Sequence, residues 1–399
     1  MKPELLAPAG TFEKMKTAFR FGADAVYFAG KKFGLRAFAG NFDEEEIETA
    51  VKYAHGLNKK VYITINILAH EDDFDGLPEY IKYLEKAGVD AVIVADFGIV
   101  NVIKETCPNL EVHISTQANV LNSYAINFLA KLGVKRIILA RELSIEEIKK
   151  IRKKIPKEID LECFVHGAMC ISYSGRCLLS NYLSGRDSNR GACVQACRWK
   201  YCISEISRKD GQKYEIQEDA RGTYILNSKD MCMIEHLKEL EEAGVNSFKI
   251  EGRMKSEYYV ATVVNAYRKA IDQTEDVKVL RAELEKASHR HYTTGFYFAG
   301  EEKECLETSM PIQTHEFVAV VLEDADGGKV KIQQRNRFLK GDTLEVLSPN
   351  QETFNKEIVV EDLKNINNEE VTDAKQVQQT LFLKTDLKLQ SGDILRKKV

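Results

Sequence analysis

Over roughly its first 270 residues the chain alternates short apolar runs with longer stretches whose apolar residues recur every three or four positions. The short runs read as buried strands: Glu4–Pro8, Ala25–Ala29, Val61–Ile65, Ala91–Val94, Glu111–Ser115, Arg136–Leu139, Asp160–Val165 and Ser247–Glu251. The longer ones, such as Asp43–His55, Leu77–Ala87 and Ser144–Lys153, read as helices with one apolar face. Ser144 followed three residues later by Glu147 has the form of a capping box. Four junctions repeat one device: Phe21-Gly22-Ala23-Asp24, Ala87-Gly88-Val89-Asp90, Leu132-Gly133-Val134-Lys135 and Ala243-Gly244-Val245-Asn246 each close a helix and open a strand. Glycine suits a helix C-terminus, where the backbone commonly turns left-handed. Repeated helix–Gly–strand joints predict βα units and a parallel sheet. Eight strands in that rhythm fit an α/β fold of the closed, TIM-like (β/α)8 barrel type better than an open doubly wound sheet. No G-x-G-x-x-G follows the first strand, which weakens the dinucleotide-fold alternative.

The pattern breaks twice. After the seventh strand, residues 167–228 form a long insertion rich in Cys, Gly, Ser, Arg and Asn, and long irregular segments inside compact domains usually have a purpose. After about residue 300 the runs become short and alternating: Glu316–Leu322, Lys329–Gln333, Thr343–Ser348, Lys356–Val360 and Thr380–Leu383. Turn signals such as Asp326-Gly327-Gly328 and Lys340-Gly341-Asp342 separate them. The expected organisation is a barrel over 1–300, carrying the insertion, and a small all-β barrel over 312–399.

Active sites of such barrels lie at the C-terminal ends of the strands, and strand residues alternate inward and outward. Polar residues of one parity therefore mark a candidate pocket: Tyr62, Thr64 and Asn66; His113, Ser115 and Gln117; Glu162 and His166; Lys249 and Glu251, with Arg253 on the following loop. Any single one of these is equally well a layer-filling or loop-capping group. Four strands carrying a polar face toward the same end predict a mixed-charge pocket, in which Lys249 and Arg253 suit an anionic substrate.

The strongest local signal is Cys170-x6-Cys177-x15-Cys193-x3-Cys197, on the loop that leaves the seventh strand at the expected catalytic end. Four thiolates satisfy either tetrahedral zinc or a cubane iron–sulfur cluster. Only the second pair is a tight hook, and the ferredoxin C-x2-C-x2-C run is absent, so spacing alone leaves the metal open. Four cysteines packed as small hydrophobes are the plain alternative, but Gly167, Ser172, Ser174, Gly175, Arg176, Asn181 and Arg198 are not the neighbours of a dry core. Cys107 and Cys163 read as structural, and Cys202 and Cys305 have no evident partner. Cys232, read as opening an apolar helix Met231-Cys232-Met233-Ile234, is a substitute fourth ligand for Cys197.

Composition narrows the class. The 57 basic and 61 acidic residues nearly cancel, which argues against wholesale coating of nucleic acid, and 44% hydrophobic residues exclude a disordered chain. Arg176, Arg186, Arg190, Arg198 and Lys200 against the single Asp187 still make a local basic stretch, interleaved with Tyr173, Tyr182, Trp199 and Tyr201 as stacking faces. A solvated basic loop without a partner is the alternative there. The start has no apolar signal-peptide core, and the apolar stretch Ala91–Ile103 is interrupted by Asp96 and too short to span a bilayer, so a cytoplasmic protein without membrane contact is expected.

The stretch Glu162-Cys163-Phe164-Val165-His166-Gly167-Ala168-Met169-Cys170-Ile171-Ser172-Tyr173-Ser174-Gly175-Arg176-Cys177-Leu178-Leu179-Ser180 resembles the signature of the peptidase U32 (collagenase-like) family. Leu5-Leu6-Ala7-Pro8-Ala9-Gly10, Gly22-Ala23-Asp24-Ala25-Val26-Tyr27, Asn227-Ser228-Lys229-Asp230 and Lys249-Ile250-Glu251-Gly252-Arg253 support it, and with the terminal β-module the resemblance covers essentially the whole chain. The family name implies proteolysis, yet no G-x-S-x-G elbow or H-E-x-x-H helix is present. Better-understood members are oxygen-independent hydroxylases with a four-iron cluster, acting on the tRNA wobble uridine, on a ribosomal cytidine or on ubiquinone precursors. The short chain, Arg198-Trp199 and the β-module resemble most the branch that makes 5-hydroxyuridine in tRNA. The resemblance implies a [4Fe–4S] cluster on Cys170, Cys177, Cys193 and Cys197, and prephenate, a small dicarboxylate, as hydroxyl donor. It leads us to expect Arg176, Lys249 and Arg253 at the donor, Asn66, Gln117 and Tyr173 as further substrate contacts, and His166 and Glu251, with His113 behind them, moving protons. A protease, or an RNA-binding or assembly factor with a structural metal, are the competing readings.

Overall fold

Every strand expected in the first 250 residues forms in the computed structural model, which describes residues 2–34, 41–199, 228–299 and 311–399 and the backbone of 218–219 and 222–223. Lys200, Tyr201, Cys202 and Cys305 lie outside the described residues. The strands are β1 (Glu4–Pro8), β2 (Ala25–Phe28), β3 (Lys60–Ile65), β4 (Ala91–Val94), β5 (Glu111–Ile114), β6 (Arg136–Ile138), β7 (Asp160–Ala168) and β8 (Ser247–Ile250). Each pairs in parallel with the next, and β8 pairs with both β7 and β1, so the sheet closes into the eight-stranded barrel. The expected caps are present. Ser144 and Glu147 exchange capping-box bonds ahead of the helix Ile145–Arg152, and Asp43 and Glu46 do the same ahead of Glu44–Gly56. All four joint glycines, Gly22, Gly88, Gly133 and Gly244, have positive φ.

Contacts divide the chain into two compact units. The first holds Met1–Met15, Asp24–Met254 and Arg290–Pro311, and therefore all eight barrel strands. The second holds Lys16–Ala23, Lys255–His289 and Ile312–Val399, so the helices Glu257–Asp272 and Val277–Leu284 group with the terminal module. No described helix is long and apolar enough to cross a membrane.

Apolar outward faces such as Val61, Ile63 and Ile65 of β3, and Phe248 and Ile250 of β8, are fully buried, as their alternation predicts. The interior is less uniform, because near the strand starts it is ionic. Arg136, which opens β6, reaches Glu4 of β1 at 2.5 Å, Glu162 of β7 at 3.2 Å and Asp160 at 3.3 Å. Lys249 of β8 completes the set at 2.8 Å from Glu162, and its ammonium lies over the Tyr27 ring. The Ser247 hydroxyl donates to Glu4 and Glu162, and the Tyr62 hydroxyl donates to Glu4. Burial alone pushes the Glu4 carboxyl up, but the Arg136 guanidinium beside it prevails and holds it below the usual range. Buried Glu4 and Glu162 thus balance Arg136 and Lys249 inside the barrel, with the more exposed Asp160 at the edge of the set, as buried ions require.

In the second unit, β9 (His315–Val321), β10 (Lys329–Gln334), β11 (Thr343–Leu347), β12 (Glu357–Val359), β13 (Leu363–Asn365), β14 (Thr380–Lys384) and β15 (Ile394–Lys398) form one antiparallel sheet in the order β12-β11-β15-β9-β10-β14-β13. Inward residues of all seven strands, among them Val318, Ile332, Val346, Ile358, Leu363, Leu381 and Leu395, share one core. Fully buried Arg396 forks onto Glu283 at 2.5 and 2.7 Å, the bidentate geometry suited to guanidinium and carboxylate.

Replacing Glu162 by Leu leaves Arg136 and Lys249 with less counter-charge inside the barrel. The expected cost is about 3–5 kcal/mol, the range for breaking a buried pair from one side. The double variant Glu162→Leu/Lys249→Met should recover a large part of that loss in urea unfolding. An unchanged midpoint for Glu162→Leu would show that the ionic layer does not hold the barrel.

Candidate active site

β7 runs to Ala168, three residues beyond the Val165 end expected from its pattern. The extension is paired: a short strand, Asp230–Cys232, lies antiparallel to it with Cys232 opposite His166 and Asp230 opposite Ala168. This corrects the helical reading of Met231–Ile234. Only Ile234–His236 makes a turn of 3-10 helix, because a four-residue apolar run carries no period that separates helix from strand. Along β7 the pairing with β8 slips between Lys249 and Ile250, so Ile250 falls opposite His166. The slip brings the amide of Glu251 to the carbonyl of His166 at 2.8 Å. Gly167 makes the approach possible: its φ is +113°, and a Cβ there would sit 2.5 Å from the Glu251 carbonyl oxygen. The Tyr27 hydroxyl donates to the Ile250 carbonyl at 3.0 Å and reaches the Glu251 carboxylate at 3.5 Å. His166 and Glu251 are thus neighbours at the mouth.

The opposite rim is built from β3 and β5. Arg253 donates to the Thr64 hydroxyl at 3.0 Å, and its carbonyl lies so close to Gly10 that a side chain there would collide. Asn66 donates to the Gln117 side chain at 3.0 Å, and the Gln117 carbonyl accepts from Arg176 Nε at 2.6 Å. Arg176 is exposed, whereas Arg253 is buried. The mouth therefore gathers Asn66, Gln117, His166, Arg176, Glu251 and Arg253. Lys249 is bound to Glu162 one layer below, and His113 lies lower still, fully buried against Tyr62 with Nε2 at 2.8 Å from Glu111. Burial holds the His113 imidazole below its ordinary pKa despite the Glu111 bond.

Two clamps hold the cysteine loop over this mouth, and a third pair of bonds orders it from within. Glu142 accepts from the backbone N–H of Ser174 at 2.6 Å and from its hydroxyl at 2.5 Å. Asp73 takes both guanidinium nitrogens of Arg190, at 2.5 and 2.8 Å. Asn189, next to Arg190, brackets Cys177 by accepting from its amide at 3.1 Å and donating to its carbonyl at 3.0 Å. None of Glu142, Asp73 or Asn189 stands out in the sequence, because each acts only through a distant partner.

The thiols differ in character. Burial pushes the Cys163 and Cys107 thiols up to about 12 and about 11, as inert structural cysteines should be. Burial also opposes ionisation of Cys177, yet hydrogen bonds from Ser172, the amides of Leu179 and Ser180, and Ser188 outweigh it and bring this thiol down. Burial pushes Cys197 up, against the charge of Arg198, and Cys170, Cys193 and Cys177 each add to the rise. The thiols of Cys170, Cys193 and Cys177 therefore each lie within electrostatic reach of Cys197. Among the described residues, no three Cys, His, Asp or Glu side chains are drawn together closely enough to hold a metal ion. Around the loop Tyr182 is 87%, Tyr173 48% and Trp199 42% exposed, so their ring faces are open to a partner.

Peptidase family U32 matches residues 10–307, and the peptidase family U32 C-terminal domain matches residues 313–396. The chain is 41% identical to tRNA hydroxylation protein P1 of Bacillus subtilis (strain 168), over 99% of this chain and 95% of that one. It is 37% identical to tRNA hydroxylation protein P of Escherichia coli (strain K12), over 87% and 86% of the two chains. The 23S rRNA 5-hydroxycytidine C2501 synthase of the same organism is 36% identical over 75% of this chain, which spans 43% of it.

The Asp73 clamp has a pH signature. Its hydrogen bonds from Arg190 hold the carboxyl at about 2, below the ordinary 3.8. A depressed carboxyl stabilises the fold above its unfolded pKa and loses that contribution as pH falls through the folded one. Asp73→Asn should therefore raise amide exchange across Asn189–Ala192 about fivefold at neutral pH, as expected for a partly exposed pair contributing roughly 1 kcal/mol. The ratio of variant to parent should stay constant down to about pH 4 and narrow toward pH 2. A ratio of one at neutral pH would show that the clamp is idle.

Proposed function

The chain belongs to the peptidase U32 family, and from that premise we propose that it is a tRNA hydroxylase. More narrowly, it would convert the wobble uridine to 5-hydroxyuridine without dioxygen, taking the hydroxyl from a prephenate-like dicarboxylate. The observation that carries this reading is the gathering of a four-thiol loop, two arginines and a His–Glu pair at one barrel mouth. Relatives named as tRNA hydroxylation proteins along nearly the whole chain support the substrate class.

The chemistry explains why those groups belong together. Replacing C5–H of uracil by C5–OH removes two electrons from the base, so a hydroxyl source and an electron acceptor are both needed. A [4Fe–4S] cluster on Cys170, Cys177, Cys193 and Cys197 would supply one-electron chemistry there. The chain's own residues bind and orient. Arg176 and Arg253, on opposite elements of the rim, suit the carboxylates of the donor. Lys249, paired with Glu162, acts from beneath by setting the field of the pocket floor. Asn66 and Gln117, already bonded to each other, present amide groups to a base edge, and Tyr173 offers a stacking face. His166 and Glu251 are the titratable neighbours that hold or move a proton. A base must leave its stack to reach this depth.

Two measurements test the reading. Anaerobically purified protein should contain about four irons per chain, as a cubane requires. Cys197→Ser should lose the cluster while Cys232→Ser keeps it, and stoichiometric zinc without iron would sink the cluster assignment. Nucleoside mass spectrometry of tRNA from a deletion strain should show loss of 5-hydroxyuridine derivatives, restored by the parent gene and not by Cys170→Ser. An unchanged modification level, with no paralogue accounting for it, would remove the tRNA assignment.

A further inference from the structure

We propose that the terminal β-module carries its own binding site for single-stranded RNA, a base-reading cavity beside an aromatic platform. The inference rests on the reading of the chain as an enzyme of RNA and adds a second, separate contact. Between the turn after β13 and the start of β14 lies a cavity of about 480 Å³, lined by Lys331, Asn365, Asn367, Gln376, Gln379 and Thr380. That volume falls within the range of small-ligand sites, about 300–1,000 Å³. The lining is dominated by side-chain amides, which pair a donor and an acceptor as the edge of a nucleobase does. Ile366, 70% exposed at the same rim, adds an apolar face.

One group points to an occupant. Gln379 Oε1 is buried and has no hydrogen-bond partner. Such acceptors are rare in folded proteins and call for an explanation. The backbone around it is fixed, because Gln334 donates to the Gln379 carbonyl at 2.9 Å and its side chain accepts from Gln378 N at 3.2 Å. Gln379 lines the cavity on this fixed backbone, and rotation of its side chain would turn the unpaired acceptor toward the exocyclic amino or imino group of a base.

Next to the cavity, the outer sheet face supplies stacking and charge. Leu381 and Leu383 point into the core, so Phe382 between them points away from it. Lys331 on β10 and Lys364 on β13 are its register partners on either side. The Lys329 ammonium lies 5.3 Å from its ring centroid. A ring flanked by three lysines on the two neighbouring strands suits a stacked base with its phosphate alongside. Lys331 is paired with Glu323 at 2.6 Å, and Asn365 is bonded to Glu369, so acids interleave with the bases around the cavity. Such a site reads bases more than it collects phosphates, and its affinity should depend only weakly on salt.

The test is fluorescence anisotropy of the full-length protein with short labelled single-stranded oligoribonucleotides of each homopolymer. Gln379→Ala should weaken binding about fivefold and Phe382→Ala tenfold or more, with Phe382→Trp retaining affinity, in keeping with base stacking on an aromatic ring. Unchanged melting temperatures would separate lost binding from lost folding. Photo-crosslinks from 5-iodouridine RNA should map to residues 364–382. Equal affinity of parent and both truncating variants, or crosslinks confined to other segments, would overturn the proposal. A free nucleoside monophosphate that binds as tightly as the oligomers would also overturn it, in favour of a mononucleotide site. Activity separates the two readings. If oligomers bind through Gln379 but no tRNA is hydroxylated, the module site stands and the enzymatic reading falls. If tRNA is hydroxylated with an unchanged KM in Gln379→Ala and Phe382→Ala, the reverse holds.

Discussion

The buried carboxylate of Glu162, shared between Arg136 and Lys249, is the interaction on which the first unit depends. A barrel of parallel strands has one seam at which its last strand must meet both its neighbour and its first. Here that strand is β8, and the ionic layer stitches it on both sides: Lys249 and Ser247 reach Glu162 of β7, and Ser247 also reaches Glu4 of β1. Arg136 extends the set to β6. An unpaired charge in this interior would cost several kcal/mol, so the four ions favour the one register that pairs them all. Slipping β8 by one residue would turn Lys249 toward the outside and leave Glu162 buried without its ammonium.

The same register determines what happens at the mouth. Above Lys249 the ladder slips, and Ile250 rather than Glu251 meets the residue that carries the imidazole. The slip is tolerated because Gly167 has no side chain to strike Glu251. His166 and Glu251 are thus juxtaposed by backbone geometry. The ionic layer and the mouth also divide the barrel's charges by depth. The lower set is internally neutral, and the upper set presents arginines to whatever enters. An anion meeting the mouth therefore encounters Arg176 and Arg253 without competition from Glu162, which Arg136 and Lys249 already satisfy.

Much of this was legible in the chain. The helix–glycine–strand joints announced the barrel, and alternation assigned the inward face of β3, β5, β7 and β8 correctly. Alternation, however, reports which side a residue faces and not how deep it sits. Lys249 and Glu251 share a parity but stand about 7 Å apart along a strand, at roughly 3.3 Å per residue. One therefore joins the ionic layer while the other joins the rim, and His113 was grouped with the pocket for the same reason. The strand Asp230–Cys232 escaped notice because its partner, β7, precedes it by some sixty residues and lends it the ladder that its own sequence lacks. Glu142, Asp73 and Asn189 were invisible in a stronger sense. Glu142 and Asp73 are ordinary polar residues whose roles exist only once the cysteine loop folds back over them, and Asn189 acts inside that loop.

That fold-back bears on how the thiols are placed. Cys170 follows the end of β7 by two residues, and β7 is paired on both sides, so its position is inherited from the barrel. Cys177 and Cys193 lie on irregular backbone, where order comes from side-chain bonds, and Cys197 sits in the single 3-10 turn Ala196–Arg198. Cys177 is bracketed by Asn189, whose neighbour Arg190 is tied to Asp73 beyond β3. The loop is thus fastened to the two sides of the barrel mouth, at β7 by the chain and at the β3 side by the clamp. A cysteine loop fastened this way couples the elements that carry His166 and Asn66 to the cysteines above them. Displacement of either rim would then be felt by the thiols. Ring-shaped scaffolds favour this construction, since groups that lie far apart in the chain can be anchored to opposite points of one closed, stiff wall.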